Sequence, residues 1–113
     1  MELTVKDRLI LLGILGPQAG NIATLRIVQK LRDDLSFNEQ EHKDLEIEMQ
    51  GGMIRWNDQV QLVKDVDIGP VAHKVIVDAL KEMSAREQLH LEHLTILDKF
   101  PEVEAGGKKA KKR

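Results

Sequence analysis

His90 and His93, three residues apart with Glu87 one turn earlier, form the one arrangement in the sequence that resembles a metal site. Imidazole is a good zinc or nickel ligand, and a three-residue step brings both rings to one side of a helix. A site needs a third or fourth ligand, however. His42 and His73 stand alone in separate segments, and no His-Glu-x-x-His pattern occurs. The pair reads as polar residues at a helix entry, and no metal is expected.

Paired carboxylates occur at Asp33-Asp34, Glu46/Glu48 and Asp65/Asp67. General acid-base chemistry needs two carboxyl groups across a cleft in environments that separate their pKa values. Acids alternating along a strand point to one exposed face instead, so Glu46 and Glu48 read as the solvated side of a hairpin. Ser36 and Ser84 sit at helix boundaries, where capping explains them, and no Gly-x-Ser-x-Gly elbow is present. Gly51-Gly52 lacks the helix and lysine of a phosphate-binding loop. With zero cysteines, disulfides, thiol catalysis and cysteine-zinc sites are excluded. The expectation is a protein that is not an enzyme, with no catalytic residues, cofactor or small-molecule substrate.

The elements that carry these residues follow from periodicity. From Thr4, the apolar residues Val5, Leu9, Leu12 and Leu15 recur at helical steps, and Ile10, Leu11 and Ile14 widen the stripe until the side is almost all apolar. Thr4 is a plausible N-cap, and Gly16-Pro17 stops the helix. A second amphipathic helix begins between Asn21 and Thr24 and runs to Leu35. It has Leu25, Val28, Leu31 and Leu35 on its inner face and the basic Arg26, Lys30 and Arg32 outside. Asn38 and Glu41 make a capping box, behind Phe37, for a short third helix from Asn38 to about Asp44.

The period then changes from helical to alternating. Leu45-Glu46-Ile47-Glu48-Met49, the turn Gly51-Gly52 and Met53-Ile54-Arg55-Trp56 predict a hairpin whose core face holds Leu45, Ile47 and Met49. Val66-Asp67-Ile68 reads as a short strand or extended lead-in. Gly69-Pro70 opens a fourth helix with Val71, Val75, Ile76, Ala79, Leu80 and Met83 on one stripe. The pattern weakens around 84–90, and Leu91, Leu94, Leu97 and Phe100 resume it, predicting two helices with a turn near 86–90. The expected class is α+β, mostly helical with about five helices and a small antiparallel hairpin, winged-helix-like in the order of its first half. One domain is expected over residues 1–101 and a disordered basic tail over 102–113.

A chain of 113 residues, 42% apolar and 32% charged, is long enough for one core beneath a solvated surface. No apolar run approaches the roughly 20 residues of a spanning helix. Leu9 to Leu15 lacks the cleavage site of a signal peptide, so a cytoplasmic protein without membrane contact is expected. Charge is divided: residues 1–104 carry 12 basic and all 19 acidic side chains, net −7, and Lys108, Lys109, Lys111, Lys112 and Arg113 add +5.

Residues 3–15 (Leu-Thr-Val-Lys-Asp-Arg-Leu-Ile-Leu-Leu-Gly-Ile-Leu), Thr24-Leu25 to Leu35-Ser36-Phe37, and Asp67-Ile68-Gly69 through Val77-Asp78-Ala79-Leu80-Lys81 to Asp98-Lys99-Phe100 resemble small uncharacterised proteins of tailed bacteriophages and prophages. The likeness covers about residues 3–100. It implies a phage setting, with a bacterial host cytoplasm as the compartment, and no particular mechanism. The sequence departs from that pattern at Leu89-His90-Leu91-Glu92-His93 and in its lysine-rich end.

A winged helix would present its third helix and hairpin to DNA. Here those elements carry Glu39, Glu41, Asp44, Glu46 and Glu48 against Lys43 and Arg55, and acids brought up to phosphates repel. The first reading is therefore a protein-binding module or self-associating chain using these acids and Trp56, either modulating a host component or serving virion assembly. Trp56 itself reads as a lid on the core before an interface anchor. The alternative is a weak nucleic-acid binder using Arg26, Lys30 and Arg32 with the terminal lysines and Arg113.

Overall fold

Thr4 and Asp7 start the first helix by capping each other. The Thr4 hydroxyl accepts the Asp7 N–H at 3.2 Å, and the Asp7 carboxylate accepts the Thr4 N–H at 3.1 Å. Two donors that a first turn leaves open are thereby satisfied. The helix, α1, spans Val5–Leu15. Asn21 caps α2 (Ile22–Leu35) through the Thr24 N–H, and Asn38 with Glu41 forms the expected capping box of α3 (Glu39–Leu45). The computed structural model describes residues 1–16 and 19–104; the expected stop at Pro17 and the tail from residue 105 lie outside the described residues.

Two separate antiparallel pairs follow. Strand β1 (Glu2–Thr4) pairs with β4 (Val63–Asp65), placing Leu3 opposite Lys64, and β2 (Glu48–Gln50) pairs with β3 (Met53–Arg55), placing Met49 opposite Ile54. Gly51 and Gly52 both take positive φ, 58° and 80°, as a two-residue primed turn demands. Helix α4 spans Gly69–Ala85 with proline in its first turn. It ends where Glu87 takes φ 55°, so that Gln88 N–H reaches Met83 O (2.8 Å) and Glu87 N–H reaches Ser84 O (3.0 Å). The break expected near 86–90 is there. A 3-10 turn, Leu91–His93, then leads into α5 (Leu94–Lys99).

The fold is α+β, mostly helical, with a small antiparallel hairpin and the helix, helix, helix, hairpin order in its first half. Helix α1 packs on α2, α4 and α5. Leu11, Leu35, Ile76, Leu80, Ile96 and Phe100 have no exposed surface at the centre. Removing large apolar side chains from water is the main force holding these elements, each contributing roughly 1.5–3 kcal/mol.

Several expectations are corrected. The hairpin has no core face: Leu45 is buried as the last residue of α3, Ile47 is half-buried, and Met49 is 70% exposed. The cause is Glu46, whose left-handed φ of 52° ends α3 and delays the alternation by three residues. The core stripe of α1 is Leu11, Ile14 and Leu15, with Leu9 and Leu12 only half-buried. Leu25, Val71, Leu91 and Leu94 are exposed, and Ala72, His93 and Ile96 take the inward positions. Strand β4 lies at 63–65, before the expected 66–68, because it pairs with β1, which is too short to show a two-residue period. Past Pro101, where the tail is expected to begin, Val103 is buried and Glu102 Oε2 lies 2.7 Å from His73 Nε2.

Candidate functional site

Helix α1 is apolar on both sides. At 100° per residue, Leu11, Ile14 and Leu15 face the core, and Leu9, Ile10 and Gly13 share the opposite side with Lys6. That second face forms the floor of a groove of about 960 Å³. Ala79 and Met83 of α4 form one wall, and Ile54 and Trp56, two residues apart and so on one face of the hairpin, form another. Lys6, Glu82, Arg86 and Glu92 mark its charged edge. A Cβ added to Gly13 would meet nothing within 4 Å, so the glycine leaves the floor open at the middle of the helix. Glycine there costs about 1 kcal/mol against alanine in a helix interior, and the packing of α1 on its neighbours does not require it.

Trp56 is half-buried and lines this groove. The acids grouped with it by sequence are not brought together with it. Glu39 is exposed on α3; Asp44 accepts from Gln40 at 2.9 Å; Glu46 accepts from Asn57 at 3.4 Å; Glu48 accepts from Gln50 at 3.2 Å. Glu41 is committed to the interior. Its two oxygens receive the Arg8 guanidinium at 2.7 and 3.2 Å, and Oε1 also accepts the Asn38 N–H at 3.0 Å.

Arg8 is fully buried. Its Nε donates to Leu35 O at 3.0 Å and an Nη to Ser36 O at 2.7 Å, and its plane lies 3.9 Å over the Phe37 ring. The guanidinium thus satisfies carbonyls that the end of α2 leaves open, while its charge is neutralised by Glu41. The Arg8 hydrogen bonds hold the Glu41 carboxyl below the usual glutamate range against the opposing effect of burial, with help from the Asn38 N–H. A carboxyl whose folded pKa is depressed contributes stability above its unfolded value and loses it as pH falls through the folded value. Stability is therefore expected to decline as pH drops below 4.5, the ordinary glutamate value. Glu41→Gln should show less of that decline, together with lower stability at neutral pH. Equilibrium urea unfolding of both proteins across this range checks the sign, and equal acid slopes would refute the assignment.

Arg26, Lys30 and Arg32 are exposed on α2, as expected. Lys108, Lys109, Lys111, Lys112 and Arg113 lie outside the described residues. The His93 Nδ1 accepts the His90 N–H at 2.9 Å, so one ring caps the 3-10 turn and the other stacks on it with centroids 5.8 Å apart. Among the described residues no group of three or more His, Cys, Asp or Glu is placed to hold a metal ion, and no helix is long and apolar enough to cross a membrane. No protein-family model, curated protein or solved structure matches the chain.

Sequence reasoning missed the floor of the groove. The signal was the width of the apolar stripe on the first helix, more than one packing face needs, interrupted by a single glycine.

Proposed function

We propose that this chain is a phage-type protein without catalytic activity that works by binding a protein partner, either a host component or a virion or assembly protein, in the groove between α1, α4 and the hairpin. One observation carries the reading: α1 turns a second apolar face, Leu9, Ile10 and Gly13, into an open groove walled by Met83, Ile54 and Trp56. Covering such side chains returns part of the roughly 1.5–3 kcal/mol that complete burial of each supplies. Methionine and tryptophan suit this task, one by adapting its shape and the other by offering a large rigid surface. An amphipathic helix laid along the groove would present residues at i, i+3, i+4 and i+7 to it.

The surroundings favour protein over nucleic acid. Glu39, Asp44, Glu46 and Glu48 remain on the exposed surface of α3 and the hairpin, where they repel phosphates. The basic residues Arg26, Lys30 and Arg32 lie on α2, away from the groove lining.

Trp56 is the chain's one tryptophan and lines the groove, so its fluorescence reports occupancy. Titration with a short helical peptide carrying leucines at i, i+3, i+4 and i+7 is expected to give a saturable blue shift, abolished by Met83→Asp. A short DNA duplex at physiological salt is expected to give none. Saturable DNA binding without a peptide response would replace this reading with nucleic-acid recognition through α2.

A further inference from the structure

The groove has a candidate occupant beside it. Leu91 is 86% exposed and Leu94 51%, three residues apart at the start of the last helical segment. That spacing sets both on one side of the turn. The two residues between them, Glu92 and His93, line the edge of the groove. An apolar projection therefore stands next to an apolar recess on the same molecule.

The charges at the edge balance. Glu82 and Arg86 pair with each other at 2.8 Å, leaving Lys6 and Glu92, neither of which makes an ion pair among the described residues. A two-fold axis brings residue i of one copy to residue j of the other and j to i, so a surface can match itself only if it carries both members of each complementary pair. This edge carries a projection with a recess and a cation with an anion.

We infer that, in the free protein, the groove is filled by a second copy of this chain, which any other protein partner must displace: a two-fold dimer in which Leu91 and Leu94 of each copy enter the groove of the other, with Lys6 of each against Glu92 of the other. The inference rests on the groove being a docking site and names what docks there. Each dimer then contains two equivalent projection-and-groove contacts that cover Trp56 of each copy, so the leucine peptide competes with dimerisation and its titration is read at concentrations where the chain is monomeric.

Light scattering of the full chain after size exclusion, over a concentration series, is expected to show the mass rising from one chain to two. Leu91→Asp, a change at an exposed position, and Gly13→Leu, which fills the floor, should each weaken the dimer by roughly tenfold or more. Mixing the two variants should restore mass above either alone, because one unmodified projection still meets one unmodified groove. Far-ultraviolet circular dichroism confirms that both variants are folded. A dimer indifferent to both substitutions, mixtures that recover no mass, or oligomers that keep growing with concentration would overturn the reciprocal arrangement. A chain that stays monomeric while Trp56 still responds to the leucine peptide would remove the dimer and leave the groove reading standing. A monomer without that response would remove both.

Discussion

Arg8→Ala is expected to lower the unfolding free energy by about 3–5 kcal/mol, the range seen when one member of a buried ion pair is deleted. Folded domains are stable by only about 5–15 kcal/mol, so a large part of the total is at stake. The loss has three sources. Glu41, whose side chain is only 16% exposed, is left without its cation; the Leu35 and Ser36 carbonyls lose their donor; and the Phe37 ring loses the plane stacked on it. Arg8→Met keeps most of the volume but none of the donors, so it should recover little. Adding Glu41→Gln to Arg8→Met should recover more, because no charge is then stranded. Arg26→Ala, at an exposed position on α2, is the control and should stay within about 0.5 kcal/mol of the parent. Urea unfolding at neutral pH measures all four. A cost below about 1 kcal/mol for Arg8→Ala would mean that α1 and the α2–α3 corner are held by apolar packing alone.

That cluster shows where sequence reading stops. Thr4, Asn38 and the Gly51-Gly52 turn were legible because each acts within three or four residues, where local geometry dictates the residue type. The break after α4 was legible as a lapse in apolar period, although a glutamate occupies the left-handed position that usually draws glycine. Arg8 was not legible. An arginine in the first turn of a helix reads as solvated, and its burial depends on the Leu35 and Ser36 carbonyls and Glu41, which lie 27 to 33 residues away. The local cap of Glu41 is legible from its spacing to Asn38, and its second role, as the partner of Arg8, comes from across the fold. The same limit governs the site. Periodicity shows that α1 is apolar nearly all round but not which half meets the core: it points to a stripe through Leu9 and Leu12, and Leu11 and Ile14 hold that place. Two apolar faces on one helix are a sequence-level sign of two neighbours. Here only one of them is supplied by the chain's own core.

Gly13→Leu is expected to move stability and binding in opposite directions. Leucine is favoured over glycine in a helix interior by somewhat less than 1 kcal/mol, and nothing lies within 4 Å of the new Cβ, so the variant should be at least as stable as the parent. Its side chain then occupies the floor of the groove between Leu9, Ile10 and Met83. The leucine peptide should bind roughly tenfold or more weakly as followed by Trp56 emission, a loss of about 1.4 kcal/mol or more. Gly13→Ala separates the two effects. It gains the helix preference, and its single methyl group leaves most of the space, so it should be stabilised with affinity close to the parent. A destabilised Gly13→Leu would show that the groove closes over the helix in solution. Parent-like peptide affinity in the stable variant would place the contact elsewhere, on the exposed hairpin residue Met49, which does not line the groove. Only loss of binding with gain of stability fits a glycine retained to keep a docking floor open, because a residue kept for the fold alone would not be improved by replacement.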